Sequence, residues 1–434
     1  MKTPTTPQER KYNTDKEPER TVSRRIVLPL DSEMYTEMMS CSHQAKSCID
    51  QQLAEHPELF PAEMGEGYKL HGWTDPSKKM DGKQFRRIRL QNETKLAYTV
   101  MPCDILPYLT GTVSEVEKAL FLKTFGVPDW ALTYVFGRND SYWYRLQKAM
   151  GRHNIVGTTV KDATQIPTEL LSDEKHGKAH GEKWYIATTV AADCVLGASV
   201  TIAADTEHLA EGYGVFKQEA EQVNPEYQPN TVNIDGWRAT RNAWQQLFPN
   251  ITIILCFLHA FIKIRSCCQR LGDLYEQIKQ QVWVIYRATD RDLFHTEVNN
   301  LQQWVINHRD RLTTSAIEGI DKICQRTDQF CLAFDHPDAY RTSNMIDRHM
   351  NPMARWLFNG HYFHGHRLSA DLRIRGWALF HNYRPYCPRA KISEAFHSPA
   401  HQLNGSIYRE NWLENLLVST SCQGFRHRHR KRQN

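Results

Sequence analysis

The chain lacks any uninterrupted apolar run of about 18 residues, so no membrane-spanning helix is expected. The greasiest stretch, ITIILCFLHAFI at 251–262, is too short and carries a histidine. Residues 1–20 hold no apolar segment, so a secretory signal is not expected either. Without secretion the eleven cysteines should be reduced thiols, and their odd number and irregular spacing argue against a disulfide framework. No internal repeat is visible. Charge of one sign is also scarce overall, with a net +5 over 434 residues. With 41% hydrophobic and 24% charged residues, the composition fits a soluble globular chain and excludes wholesale disorder, collagen and coiled coil. The length amounts to roughly three average domains.

What charge excess there is sits at the ends. Arg426, Arg428, Arg430, Lys431 and Arg432 crowd the last nine residues, which contain no acid. Residues 1–25 hold seven basic and four acidic side chains and are polar and proline-containing, the pattern of a disordered arm. Basic ends bind polyanions by releasing counterions and need not fold to do so. A solubilising tail is the alternative.

From Arg25 to about Lys95, short apolar runs alternate with polar ones and define no fold. Residues 113–152 read as three helices. VSEVEKALFLKT has helical spacing, Gly126 and Pro128 punctuate it, and PDWALTYVF follows up to Gly137. Asp140 or Ser141 could cap the third helix, which carries Arg145, Lys148 and Arg152. Helix, glycine-containing turn and helix, followed by a basic third helix, resemble a helix-turn-helix DNA-binding unit. The plainer reading is a small bundle packed on its neighbour.

Beyond residue 165 the pattern changes. IPTELLS (166–172) reads as a strand ending at Asp173. KWYIATTV and CVLGASVTIA are β-branched runs joined by a hairpin-length AAD. Residues 205–223 are helical, TVNIDGW is a short strand running into a turn, 238–248 is helical, and ITIILCFL is a buried strand leading into a helix from about His259. The order β β β α β α β α predicts an α/β fold with a mixed sheet. Residues 270–340, 344–358 and 373–382 are again helical, the last ended by Pro385 and Pro388.

Three acids stand out by position. Asp173 and Asp235 end the first and fourth strands, and Asp347 lies in the first turn of a helix opened by Ser343 or Asn344. Strand ends on one edge of a mixed sheet, with a helix start facing them, can bring three carboxylates together. Three such groups do not ionise in a small space without cations, and oxygen ligands suit Mg²⁺ or Mn²⁺. Two ions about 3.5–4 Å apart can clamp both oxygens of a phosphodiester displacement. Taken singly, each acid reads as a surface charge, a cap or a turn residue.

The segment from Asp173 to Arg265, followed by RTSNMIDRH (341–349), resembles the catalytic domain of mutator-type insertion-sequence transposases of the DDE superfamily. The matching features are DEKH at 173–176, TTVAADCVLGASV, NIDGW at 233–237, LFPNITIILCFLH at 247–259 and TSNMID at 342–347. They cover about half the chain. The resemblance implies an RNase H-like catalytic core interrupted by an all-α insertion, with a helical N-terminal DNA-binding region. It divides the chain into an arm at 1–25, an N-terminal region at 26–160, a core at 161–268 and 341–390, an insertion at 269–340 and a C-terminal segment at 391–434. It implies a DNA transposase in which Asp173, Asp235 and Asp347 are catalytic and hold two Mg²⁺ or Mn²⁺ ions. Its implied partners are the double-stranded DNA of element ends and target, bound by a homodimer or larger assembly in the bacterial cytoplasm at the nucleoid, with no membrane. A DNA-binding derivative without catalysis, or a nuclease that cuts without joining, are the alternatives.

The family usually has Glu at the third position, where this chain has the shorter Asp347. Pro352 should kink the following helix or end it early. Asp371 is the nearest substitute for Asp347, and Asp193, in a hairpin turn, is the second candidate for the first ligand. Cys256 and His259 match the family's Cys-x-x-His element. They make half of a four-ligand zinc site, but Cys267 and Cys268 are adjacent rather than spaced as a second pair, so zinc is not expected. His259 either packs behind the carboxylates or is a satisfied core histidine beside a buried thiol. Finally, Arg348, Arg355, Arg367, Arg373 and Arg375 could follow a phosphate backbone, with Tyr362 and Phe363 stacking on unpaired bases. Trp237 could pack near an end base or belong to the core.

Overall fold

The structure is a computed structural model and describes residues 20–390 and 395–427. Its centre is a five-stranded mixed sheet of β1 (Glu169–Ala179), β2 (Glu182–Ala191), β3 (Cys194–Thr201), β4 (Thr231–Ile234) and β5 (Thr252–Leu255), in the order β5-β4-β1-β2-β3. β1, β2 and β3 are antiparallel neighbours; β4 runs parallel to β1, and β5 parallel to β4. Both hairpin turns have two residues at positive φ, His180 with Gly181 and Ala192 with Asp193. That geometry matches the right-handed twist of the flanking strands.

The strand expected at 166–172 instead runs from Glu169 to Ala179, so Asp173 lies inside it rather than at its end. The polar stretch EKHGKA forms the far arm of the β1–β2 hairpin, where a polar sequence gives no strand signal.

Helices cover both faces of the sheet. On one face lie α1 (Thr206–Val223) and α2 (Arg238–Leu247). After β5 come α3 (Phe257–Cys268) and then only helical elements, at Asp273–Tyr286, Arg291–Asn307, Thr314–Cys324 and Thr327–Cys331. The other face carries α4 (Asn344–Asn359) and α5 (Arg367–Tyr383). The alternation of a strand assigns its neighbours to the two cores. Leu170 packs with α1 and α2, whereas Leu171 packs with α4 and α5. α4 runs through Pro352 to Asn359, so the proline does not end it. Met353, Trp356 and Leu357 bury its second half.

The three helices expected in the N-terminal region are present, at Val113–Thr124, Asp129–Phe136 and Asp140–Met150. Asn139, not Asp140 or Ser141, caps the third, its side chain accepting from the Tyr142 N–H. This helix lies against α5. Before it stands a four-stranded mixed sheet, in the order Arg25–Leu28, Ala97–Pro102, Arg86–Leu90, Tyr68–Trp73, covered by helices Ser32–Ser40 and Ser42–Glu55. Part of the segment expected to be disordered is ordered. Arg20–Val22 pairs antiparallel with Phe425–His427, and the strand at Arg25 begins the N-terminal sheet. Residues 1–19 lie outside the described residues, as do Arg428, Arg430, Lys431 and Arg432. Among the described residues no helix is long and apolar enough to cross a membrane.

Candidate active site

The parallel ladder between β1 and β4 ends at Leu171 and Asn233. The same register carried two residues further sets Asp173 beside Asp235. The β4–β5 ladder ends at Ile234 and Leu255, which puts Cys256 abreast of Asp235, its N–H donating to the Ile234 carbonyl at 2.8 Å. Thus Asp173, where β1 runs on beyond its pairing with β4, and Asp235 and Cys256, just past the ends of β4 and β5, form one edge. Gly236, at φ +89, turns the chain sharply after Asp235, and the Trp237 N–H donates back to Asp235 Oδ1 at 2.7 Å. Trp237 is 39% exposed, so it is not core; its indole stands in solvent beside Asp235.

A short segment stitched across this edge delivers the third acid. Asn233 Nδ2 donates to the Tyr340 carbonyl (2.7 Å), the Phe257 N–H to the Arg341 carbonyl (3.1 Å), and the Ser343 N–H to Cys256 Sγ (3.2 Å). α4 then begins, with Asp347 in its first turn. Ser343 is the residue before the helix, yet its hydroxyl caps no N–H; it donates to Asp347 Oδ2 at 2.8 Å and so orients the carboxylate.

Asp173 feels the other two acids. Burial pushes Asp173 up to about 6; the Glu174 N–H on Oδ1 and His259 oppose this, and the negative charges of Asp235 and Asp347 add to it. Cys256 lifts His259 to about 9, against its burial, with Asp173 and Asp235 contributing. Burial would raise Cys256, but His259 and the Ser343 N–H outweigh it and hold the thiol below its ordinary value. The hydrogen bond between the two side chains outweighs their charge interaction, while His259 Nδ1 is buried with no partner. Asp173, Asp235 and Asp347 are each half-buried along this edge, with His259 near Asp173 and Asp235.

Among the described residues, no three His, Cys, Asp or Glu side chains are grouped closely enough to hold a metal ion as they stand. The donor chemistry still suits a hard divalent cation. Asp173, Asp235 and Asp347 offer only oxygen, and a cation would favour the ionised form of Asp173 that burial, with the charges of Asp235 and Asp347 adding, disfavours.

Two substitutes considered from sequence have other work. Asp371 is buried on α5 and accepts from Ser199 Oγ (3.0 Å) and the Val200 N–H (3.1 Å), pinning α5 to β3. Asp193, in the β2–β3 turn, clamps α4. Its Oδ1 meets Arg348 Nη2 at 3.1 Å and His349 Nε2 at 3.4 Å, and the neighbouring Ala192 N–H donates to Tyr340 Oη at 3.1 Å. His349 in turn bonds His381 of α5, Nδ1 to Nε2, at 2.8 Å.

The arginines divide sharply. Arg355 is exposed and Arg348 is exposed while reaching Asp193. Arg367 pairs with Glu211 at 2.7 Å. Arg373 and Arg375 are buried and do not face solvent, which corrects their expected place on a phosphate backbone. Arg373 lies between the Tyr144 and Trp356 rings; Arg375 is ion-paired to buried Glu219 and donates to the Gly151 and His153 carbonyls. Phe363 is buried against Trp184 and Trp356, so it does not stack on bases; Tyr362 is half-buried. Arg426 lies in the strand paired with Arg20–Val22.

A second feature lies about the third N-terminal helix. A groove of about 720 Å³ is lined by Lys79, Arg138, Arg145, Lys148 and Arg152, with Tyr108 and Tyr142 and no acidic side chain. Arg145 is exposed, Lys148 Nζ donates to Ser369 Oγ at 2.8 Å, Arg152 lies over Tyr108, and Arg138 pairs with Glu115 outside the groove. Lys79 and Arg138 were not singled out in the sequence, because they lie in loops away from the helix pattern. In comparisons with known proteins the chain matches no family model and no curated protein.

Proposed function

We propose that the chain is a DNA transposase acting by metal-dependent phosphoryl transfer, as its resemblance to mutator-type enzymes implies. The observation that carries the reading is that Asp173, Asp235 and Asp347, from three distant parts of the sequence, are brought to one edge of the sheet, where the charges of the last two act on Asp173. The sheet order, with three antiparallel strands and then two parallel ones, supports an RNase H-like core, and the run of helices between β5 and α4 supports the all-α insertion.

In this reading Asp173, Asp235 and Asp347 hold Mg²⁺ or Mn²⁺, which when bound stabilises charge on the attacking and leaving oxygens of a phosphodiester. The chain's own part is to position and to neutralise. Ser343 fixes the orientation of Asp347, and the Trp237 N–H fixes Asp235. His259 contributes positive charge behind the carboxylates. The acid-free groove beside the third N-terminal helix supports duplex binding through phosphates. Element ends and target DNA are then the substrates, a homodimer or larger assembly pairs the two ends, and the enzyme works at the nucleoid.

The test is strand cleavage and joining on DNA taken from the flanks of the coding region, with Mg²⁺, comparing wild type with Asp235→Asn. Product should fall at least about a hundredfold. Equal product from both proteins rejects catalysis and leaves a DNA-binding protein; cut but never joined product identifies a nuclease.

A further inference from the structure

Asp235 also faces a second space. A cavity of about 370 Å³ opens between the sheet edge and the helices at 314–331. Asp235 and Cys256 form its core side, with Lys263 of α3, and Lys322 and Arg326 close it from the helical side. Leu255, Ile323 and Phe330 supply an apolar wall. Three cations thus face two acids, Asp235 and Glu318.

Arg326 is the best placed of the three. It is exposed, and it lies against the turn that follows Asp235: a Cβ on Gly236 would come within 3.4 Å of Arg326 Nη1. Gly236 therefore does two things. It supplies the positive φ of the turn, and it brings the turn's backbone close to the guanidinium. A carboxylate cluster alone repels a phosphodiester. Flanking cations offset that repulsion, and the planar fork of arginine suits phosphate oxygens. The cavity takes a phosphate with its sugar and base; it is too small for a duplex.

We propose that this cavity is a binding site for a single nucleic-acid strand, in which Arg326 and Lys322 grip the phosphate next to the one held at Asp235 and the apolar wall covers the sugar and base. The site deepens the transposase reading and rests on it for its purpose, but strand binding can be measured without any cleavage.

The experiment follows a fluorescein-labelled deoxythymidine 10-mer by anisotropy, in EDTA, with full-length protein over a range of salt concentrations. Arg326→Ala with Lys322→Ala should weaken binding about tenfold and lower the slope of log K against log salt by about 1.4, the release expected for two single-strand phosphate contacts. Arg326→Lys should keep the slope and lose part of the affinity. Asp235→Asn should bind as well as wild type or more tightly, since it removes a negative charge. Thermal unfolding of each variant, at surface positions, should match wild type. Unchanged affinity and slope in the double variant overturns the proposal. So does displacement of the 10-mer by inorganic tripolyphosphate as effectively as by unlabelled 10-mer, because the site would then read charge and not a strand. Should Asp235→Asn retain full cleavage, the catalytic reading falls while the binding data still decide the cavity.

Discussion

Glu174 follows Asp173 on β1 and so points to the opposite face of the sheet. There it is buried, accepting hydrogen bonds from Tyr213 Oη and Thr240 Oγ1, both at 2.7 Å. Burial pushes its carboxyl up to about 7; the two hydroxyls oppose the shift, and Asp173 and Asp235 add to it. Below an unfolded value near 4.5 both states hold the proton. As pH rises from there to about 7 the folded state holds it more firmly, so stability falls through that window and stays low above it. The full cost is about 3 kcal/mol. Glu174→Gln should therefore be more stable than wild type at pH 8 by an amount of this order and show no advantage near pH 4. Urea unfolding at both values checks this; a constant difference across pH would falsify it. The sequence reading singled out Asp173 by its place at a strand end and gave Glu174 no role. Which carboxylate meets the acidic edge and which enters the core depends on strand phase, and the strand was read as stopping at 172 although it runs to Ala179.

At the scale of elements, α5 and the end of the third N-terminal helix touch backbone to backbone. A Cβ on Gly151 would lie 1.8 Å from the Leu372 carbonyl oxygen, and one on Gly376 would lie 2.3 Å from that of Gln147. Neither glycine needs a positive φ; both are there for the approach. Gly376→Ala should force the helices apart and cost about 1–3 kcal/mol, the range for overpacking a tight core, read as a lower urea midpoint with an unchanged slope. The helices themselves were legible, because their apolar residues recur at helical spacing, and so was the β2–β3 turn. Their crossing was not, since a glycine inside a helix looks the same whether it faces solvent or another backbone. The same blindness misplaced Arg373 and Arg375. A basic stripe reads as a phosphate track until tertiary contacts show Glu219 and two aromatic rings taking the charges inside. The N-terminal sheet was missed for another reason. Its strands are four to six residues long and partly polar, too short for a periodicity to declare itself.

Across the whole molecule, the pairing of Arg20 with His427 brings the two ends of the described chain together, although the sequence sets them at opposite extremes. The acid-free groove that offers Lys79, Arg145 and Arg152 adjoins this pairing, the Phe425 N–H donating to the Arg152 carbonyl at 2.8 Å. Two cationic sources can each attract duplex DNA, and salt dependence separates them. Removing one cation that neutralises a phosphate lowers the slope of log K against log salt by about 0.9 on duplex DNA. Arg145→Ala with Arg152→Ala should thus take away about 2 from the slope, and removing residues 428–434, with Arg428, Arg430, Lys431 and Arg432, up to about 4. If both reductions appear and add, duplex follows a path that engages groove and tail at once, since independent binding at either would leave the other variant's slope untouched. If the truncation abolishes the slope and the groove variant changes nothing, the folded part of the chain does not hold duplex through that groove, and the approach of DNA to the acidic edge must be governed by other surfaces.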